Sequence, residues 1–253
     1  MGKVVFDISM SLDGFIAGLH DSPDNPLGDN GMRVHKWIWG DRTDGVPGDG
    51  ATGVNREVLA ELKDTTGAVV VGRRTYDIVN GWGGTHPFGG IPAFVVSKDA
   101  PENVPPGSTK FTFVTDGIES AIKQAKAAAG DKNVYVVGGA NVAQQCIKAG
   151  LLDEMQIHLV HVLFGDGVRL FDHLGTEQIE LESTSVTESP GVTHLRFRVV
   201  KKGVQIPRRF CALPKTAQQG VQATRLRLPN SWVAGAIRRA PNANRWAATP
   251  YDR

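Results

Sequence analysis

The chain has 253 residues and a formal net charge of +2, enough length for one large domain or one domain with an appendage. No window approaches the roughly 20 consecutive apolar residues that a membrane span needs, and no basic segment followed by a long apolar core opens the chain, so neither a membrane anchor nor a signal peptide is expected. Two cysteines, Cys146 and Cys211, form no disulfide framework and point to a reducing cytoplasm.

In chain order, Lys3–Met10 is β-branched and apolar, a first strand with Asp7 and Ser9 on one face by period two. Ser11-Leu12-Asp13-Gly14 turns the chain and Phe15–Gly18 continues it. Asp13 has two readings: a carboxylate facing a cleft at a strand end, or a turn former before glycine. Residues 20–53 are polar and rich in Gly, Asp and Pro, a length that suits a binding-site wall or a disordered loop. Within them His35–Trp39 reads as a short helical turn whose Trp37 and Trp39 either stack on a flat heterocycle or cap the core. Asp21, Asp24 and Asp29 lack calcium-loop spacing, so no metal site is expected there.

Thr52–Lys63 reads as an amphipathic helix with Val54, Val58, Leu59 and Leu62 inward and Glu57 and Glu61 on its flank. Ala68–Val71 is a buried strand ending in Gly72-Arg73-Arg74-Thr75, followed by a helix to about Asn80. An arginine fork at such a point suits a phosphate. Trp82–Pro92 is a loop carrying His86 and Phe88. The strand Ala93–Val96 ends in Ser97-Lys98, and Phe111–Val114 is a further strand. Thr115 is the expected cap of a helix over Asp116–Ala129 with Ile118, Ala121, Ile122 and Ala125 on one face.

The run Val134–Val137 ends in Gly138-Gly139 and leads into a helix from Asn141 to Ala149, with Cys146 as a small core residue. Paired glycines let a phosphate approach the backbone, and the helix start offers free N–H groups; a tight turn without a ligand fits the same residues. Met155–Leu163 is the next strand, closing on Gly165-Asp166-Gly167. Its His158 and His161 are three apart and so face opposite ways, which excludes a shared metal. Ile179–Glu188 and Val192–Lys201, joined by Ser189-Pro190-Gly191, form a hairpin. Alternating strands and helices ending on a hairpin imply a mostly parallel sheet with an antiparallel edge. From 203 onward the composition changes. Residues 1–203 carry a net −6, residues 204–253 a net +8, and five prolines fall in the latter. This reads as a basic, disordered tail whose arginine pairs, Arg208-Arg209 and Arg238-Arg239, are the sole candidate for nucleic-acid contact.

The motifs Val69–Thr75, Phe94–Lys98 and Val136–Val142 resemble dihydrofolate reductase in order and spacing. Ser9–Ala17, Leu151–Glu154 and Gly165–Gly167 resemble the C-terminal reductase domain of the bifunctional riboflavin-biosynthesis deaminase/reductase, and residues 1–202 are similar to stand-alone bacterial members of that superfamily. The resemblance implies an α/β/α sandwich around a largely parallel eight-stranded sheet, a homodimer, and NADPH lying across the strand ends. By matching motifs, Gly72, Arg73, Arg74 and Thr75 would hold its phosphates, Ser97 and Lys98 would lie near the adenosine ribose phosphate, and Gly138, Gly139, Asn141 and Val142 would approach the pyrophosphate. The implied reaction is hydride transfer to a C=N or C=O of a pterin- or aminopyrimidine-like substrate. Asp13 and Glu57 are the competing catalytic carboxylates, and Ser11, Trp37, Trp39 and Trp82 the expected substrate pocket. A non-catalytic ligand-binding protein on the same fold is the alternative.

Overall fold

The computed structural model describes residues 2–40 and 50–201; the expected tail from 203 onward lies outside the described residues. Ten strands occur among them: β1 (Val4–Ser11), β2 (Phe15–Ala17), β3 (Thr66–Gly72), β4 (Ala93–Val96), β5 (Phe111–Val114), β6 (Asn133–Val137), β7 (Glu154–Val160), β8 (Val168–Arg169), β9 (Leu181–Ser189) and β10 (Val192–Val199). The helices are α1 (Lys36–Trp39), α2 (Gly53–Thr65), α3 (Arg73–Ile78), α4 (Ile118–Ala129) and α5 (Ala140–Lys148). Eight strands form one sheet in the order β5-β4-β3-β6-β1-β7-β10-β9, and β2 pairs separately with β8. Every pairing from β5 to β7 is parallel, while β7–β10 and β10–β9 are antiparallel. The expected mostly parallel sheet with an antiparallel C-terminal hairpin is what the chain builds.

Side-chain alternation explains the layers. Val4, Phe6 and Met10 of β1 point to the face covered by α4 and α5, whose Ile118, Ala121, Ile122, Ala125, Val142, Ala143 and Cys146 are buried there. Burial pushes the Cys146 thiol up to about 12, which keeps it a neutral packing group. Val5, Val69 and Tyr135 point the other way, onto Val58 and Leu62 of α2 and onto Trp37.

Three boundaries differ from expectation. The helix expected from Asp116 under a Thr115 cap begins at Ile118, because Gly117 at φ 102 occupies the cap position. The strand expected to reach Leu163 stops at Val160, where the Val162 N–H donates back to the Val160 carbonyl at 2.8 Å and bends the chain. The helix after Gly72 ends at Ile78, since Asn80, Gly81, Trp82 and Gly83 all adopt positive φ.

Two aspartates lock the start and the end of β1. At the start, Asp153 accepts the Val4 N–H at 2.9 Å and the Lys201 ammonium at 2.6 Å, with the Lys126 ammonium at 4.0 Å. Burial alone would raise its pKa, but Lys201, the Val4 amide and Lys126 together hold it below the ordinary value. At the far end, Asp13 accepts from the Ser11 hydroxyl at 2.6 Å and from the Phe164 and Gly165 amides at 3.1 and 2.7 Å. The Ser11 hydroxyl in turn accepts the Phe15 N–H at 2.9 Å. These donors, the Ser11 hydroxyl first, lower the Asp13 pKa to about 2. Of the two readings of Asp13, the structure realises the turn: an ionised clamp between the β1–β2 turn and the loop after β7.

A depressed carboxylate pKa stabilises the fold above its unfolded value and loses that contribution as pH falls through the folded value. Asp153→Asn is therefore expected to lower stability by about 1–2 kcal/mol at pH 7, for loss of a charge-assisted pair. The difference from wild type should shrink below the ordinary value of 3.8, as read by urea titrations at several pH values. Asp13→Asn should speed hydrogen exchange at the Phe164 and Gly165 amides at neutral pH and leave exchange in β3 and β6 unchanged.

Candidate active site

Because β4, β3, β6 and β1 are consecutive and parallel, their carboxyl ends line one rim. Gly72 closes β3, Gly138-Gly139 follows β6, Ser97 follows β4, and Ser11 closes β1. Gly138 and Gly139 have φ of 80° and 79°, a conformation that L side chains rarely adopt, and both lie against Thr75. A Cβ on Gly138 would meet the Thr75 methyl at 3.1 Å, one on Gly139 the Thr75 hydroxyl at 3.3 Å, and one on Gly72 the Val142 side chain at 3.0 Å. Gly72, Thr75, Gly138, Gly139 and Val142 are thus brought together as one close-packed cradle.

The basic residues flank it. Arg73 donates from Nε to both Asp77 oxygens, at 2.8 and 3.0 Å, and from Nη1 to the Asp99 carboxylate at 2.7 Å and its carbonyl at 3.0 Å. The Ser97 hydroxyl donates to that same Asp99 carbonyl, so the ends of β3 and β4 are stitched through one turn, with Lys98 exposed on it. Arg74 reaches the other way, to the Asp21 carboxylate at 2.6 Å. Asp21, Ser22, Pro23, Arg73, Arg74, Asp77 and Ile78 line an open depression of about 490 Å³. Asn141 is exposed on the first turn of α5, accepting from Gln145 at 2.6 Å.

The substrate-side expectations fare differently. Glu57 is exposed on the outer side of α2, two positions from the buried Asn55, so the helix period turns it away from the sheet. Trp82 packs in a separate cluster with Tyr76, Val71 and Val95, edge-on to His86, and does not join Trp37. Trp39 stacks on His35 with centroids 5.1 Å apart. Trp37 is buried and donates from its indole to the Ser9 hydroxyl at 2.9 Å, so it caps the core with its polar edge satisfied.

Beneath Trp37 lies a buried polar chain absent from the expected site. Asp7 Oδ2 faces His158 Nε2 at 3.0 Å, His158 Nδ1 faces His194 Nδ1 at 2.7 Å, and His194 Nε2 faces Asn55 Oδ1 at 3.0 Å. The Trp37 ring covers both imidazoles, with centroids 4.4 and 4.9 Å away. His158 and His194 are 2% and 4% exposed. Burial, then the neighbouring His158, pushes His194 down to about 4, and the same two causes bring His35 to about 4. Register connects this chain to the rim: Asp7 pairs with Val137, the residue before Gly138. The Asp7 side chain is 14% exposed and is the open end of the chain. Part of the signal is in the sequence, since Asn55, Val58 and Leu62 share one helical face and Asp7 shares a strand face with Ser9. The neighbours His158 and His194 emerge only once β7 is known to lie between β1 and β10. Among the described residues no group of three or more His, Cys, Asp or Glu is arranged to hold a metal, and no helix is long and apolar enough to cross a membrane.

Known proteins share this architecture. The chain is 26% identical over 183 residues to YwjB of Bacillus subtilis (strain 168), itself uncharacterized, covering 72% of this chain and 90% of that protein. A solved structure from Shewanella sp. PV-4, named for riboflavin biosynthesis, superposes with a TM-score of 0.58 at 25% identity, over 79% of this chain and 99% of the other. The Thermotoga maritima diaminohydroxyphosphoribosylaminopyrimidine deaminase/5-amino-6-(5-phosphoribosylamino)uracil reductase shares the fold, with a TM-score of 0.55 at 16% identity over 79% of this chain. This chain spans 57% of that longer protein. The α/β sandwich around a mostly parallel eight-stranded sheet is thus a fold shared with these solved structures. The family model of the RibD C-terminal domain matches residues 2–195, and the chain belongs to that family.

Proposed function

We propose that this protein is an NADPH-dependent reductase that transfers a hydride to a C=N or C=O of a small pterin- or aminopyrimidine-like heterocycle, acting as a cytoplasmic homodimer. The observation that carries the reading is the cradle of Gly72, Thr75, Gly138, Gly139 and Val142, flanked by Arg73 and the Ser97 turn at three adjacent strand ends. Glycines leave the backbone bare at these strand ends, which suits close approach of a pyrophosphate, and Arg73 supplies a cation beside them. The residues present fit the cofactor.

In this reading the amides beyond Gly139 and the Thr75 hydroxyl receive the pyrophosphate. Arg73, Arg74, Ser97 and Lys98 receive the remaining phosphate oxygens, including the 2′-phosphate that separates NADPH from NADH. Asp77 and Asp99 now hold the Arg73 fork and Asp21 the Arg74 fork; a phosphate competes for the same N–H groups. When bound, the reduced nicotinamide supplies the hydride. The substrate lies at the rim beside the Asp7 carboxylate, whose side chain is 14% exposed and which orients the heterocycle. Asp13 and Ser11 act at one remove, holding the loop that borders this space.

The test is a panel of pterins, aminopyrimidines and quinones with NADPH, followed by the loss of its absorbance. A substrate-dependent loss is expected with at least one compound. Tight NADPH binding with no oxidation across the panel would favour a ligand-binding protein on this fold. Arg73→Ala should weaken NADPH by about tenfold or more, as one charge-assisted bond implies, and NADH by less. Equal weakening in calorimetric titrations of both dinucleotides would remove the 2′-phosphate from Arg73.

A further inference from the structure

The buried polar chain has a donor count that does not close for neutral groups. Asp7 presents a carboxylate oxygen to His158 Nε2, so that nitrogen is a donor. Asn55 presents its amide oxygen to His194 Nε2, so that nitrogen is a donor as well. A neutral imidazole has one N–H, and each ring has now placed it on Nε2. The two Nδ1 atoms would then face each other as bare lone pairs at 2.7 Å. One additional proton between them turns that contact into a hydrogen bond and makes the pair a single cation. We propose that His158 and His194 together store one proton, counterbalanced by the Asp7 carboxylate, and that Asp7 passes this proton to the substrate during reduction.

The surroundings support one stored charge and no more. Around the pair stand Asp7 from β1, His35 from the turn before α1, Tyr135 from β6, Glu61 and Asn55 from α2, and Arg196 from β10. Arg196 is neutralised by Glu61 through two contacts of 2.6 Å, and His35 is held neutral by burial. His194 is depressed by burial and by His158, so both rings do not charge together. The carboxylate at 3.0 Å from His158 is the counterion. Trp37 seals the rings from above, leaving Asp7 as the exit.

The second half of the proposal rests on the reductase reading. Reduction of C=N or C=O places a hydride on carbon and requires a proton on the heteroatom. The two electrons come from the reduced nicotinamide, which is oxidised. The proton leaves the Asp7 carboxyl as its O–H bond breaks and the N–H or O–H bond of the product forms. Asp7 receives that proton from His158 Nε2, and His158 keeps the one on Nδ1, donating it to His194 Nδ1. Both rings end neutral, and His158 Nε2 then faces the Asp7 carboxylate as a bare lone pair, a contact that draws the replacement proton in. After product leaves, solvent returns one proton through Asp7. Asp7 touches the substrate; His158, His194 and Asn55 are positioning residues that hold the charge.

The full chain with 15N-labelled histidine rings decides the first half without any substrate. At pH 7 one coupled ring pair should show three N–H protons over four nitrogens, and Asp7→Asn should discharge it to two. Two single-proton rings in the wild type, with the Asn55 amide turned end for end, would overturn the stored charge. For the second half, Asp7→Asn should lower kcat of NADPH oxidation by about a hundredfold, the scale of a positioned general acid, with the Kd for NADPH unchanged. An unchanged kcat would overturn the transfer role. Should NADPH neither bind nor be oxidised in the wild type, the reductase reading falls and with it the transfer, while the ring spectrum still decides whether the pair holds a proton.

Discussion

Parallel pairing of β4, β3, β6, β1 and β7 is the constraint on which everything else depends. With β5, six strands running the same way deliver six carboxyl ends to one edge, and each return must cross a face of the sheet. The returns through α4 and through α2 bury opposite faces, so the rim is flanked by two layers and open only along the ends. Side chains scattered by tens of residues in sequence then stand side by side. Arg73 and Ser97 meet through Asp99, and Gly138 meets Thr75, because β3 lies between β4 and β6. An antiparallel sheet of the same strands would divide those groups between two edges.

The two sides of the sheet meet different demands. On the α4–α5 side every inward residue of β1 is apolar, as dense packing in a dry interior requires. On the α2 side the sheet carries Asp7, Ser9, Gln156, His158 and His194 in three neighbouring strands. Placing such groups under a helix is costly unless each is paired. Trp37 pairs with Ser9, Asn55 with His194, and Asp7 with His158, while the Gln156 amide oxygen and His35 Nδ1 remain without a protein partner. Apolar side chains fill the same face at Val5, earlier on β1, and at Val69 on β3.

Periodicity and punctuation made much of the fold legible. Glycine-ended apolar runs marked β3 and β6 closely, and the apolar face of α4 was read residue by residue. The rim was legible for the same reason, since its members sit at strand ends that turn residues announce. What escaped was lateral. Asp7 and His158 are 151 residues apart and His158 and His194 are 36 apart, and nothing local says that β7 lies between β1 and β10. Glu57 stands exposed on α2, where the helix phase was not legible. The buried polar position of that helix falls on Asn55, on the face of Val58 and Leu62. Trp82 sits on a run of positive φ that no helical or strand period describes.

Three aspartates mark the course of β1 and its turn, and their partners separate their roles. Asp153 faces ammonium groups and a backbone amide, which stabilise its charge and hold their own protons firmly. Asp13 faces a hydroxyl and two amides, donors that never release a proton near neutrality. Both are therefore locked as anions, and both act as clamps at points where the chain must be fixed. Asp7 alone of the three faces an imidazole, that of His158. It is also the one whose neighbour in the sheet, Val137, leads directly into the glycine pair. The carboxylate paired with an imidazole is thus the one set beside the rim, and the two held by hydroxyl, amide and ammonium donors are set where rigidity is required.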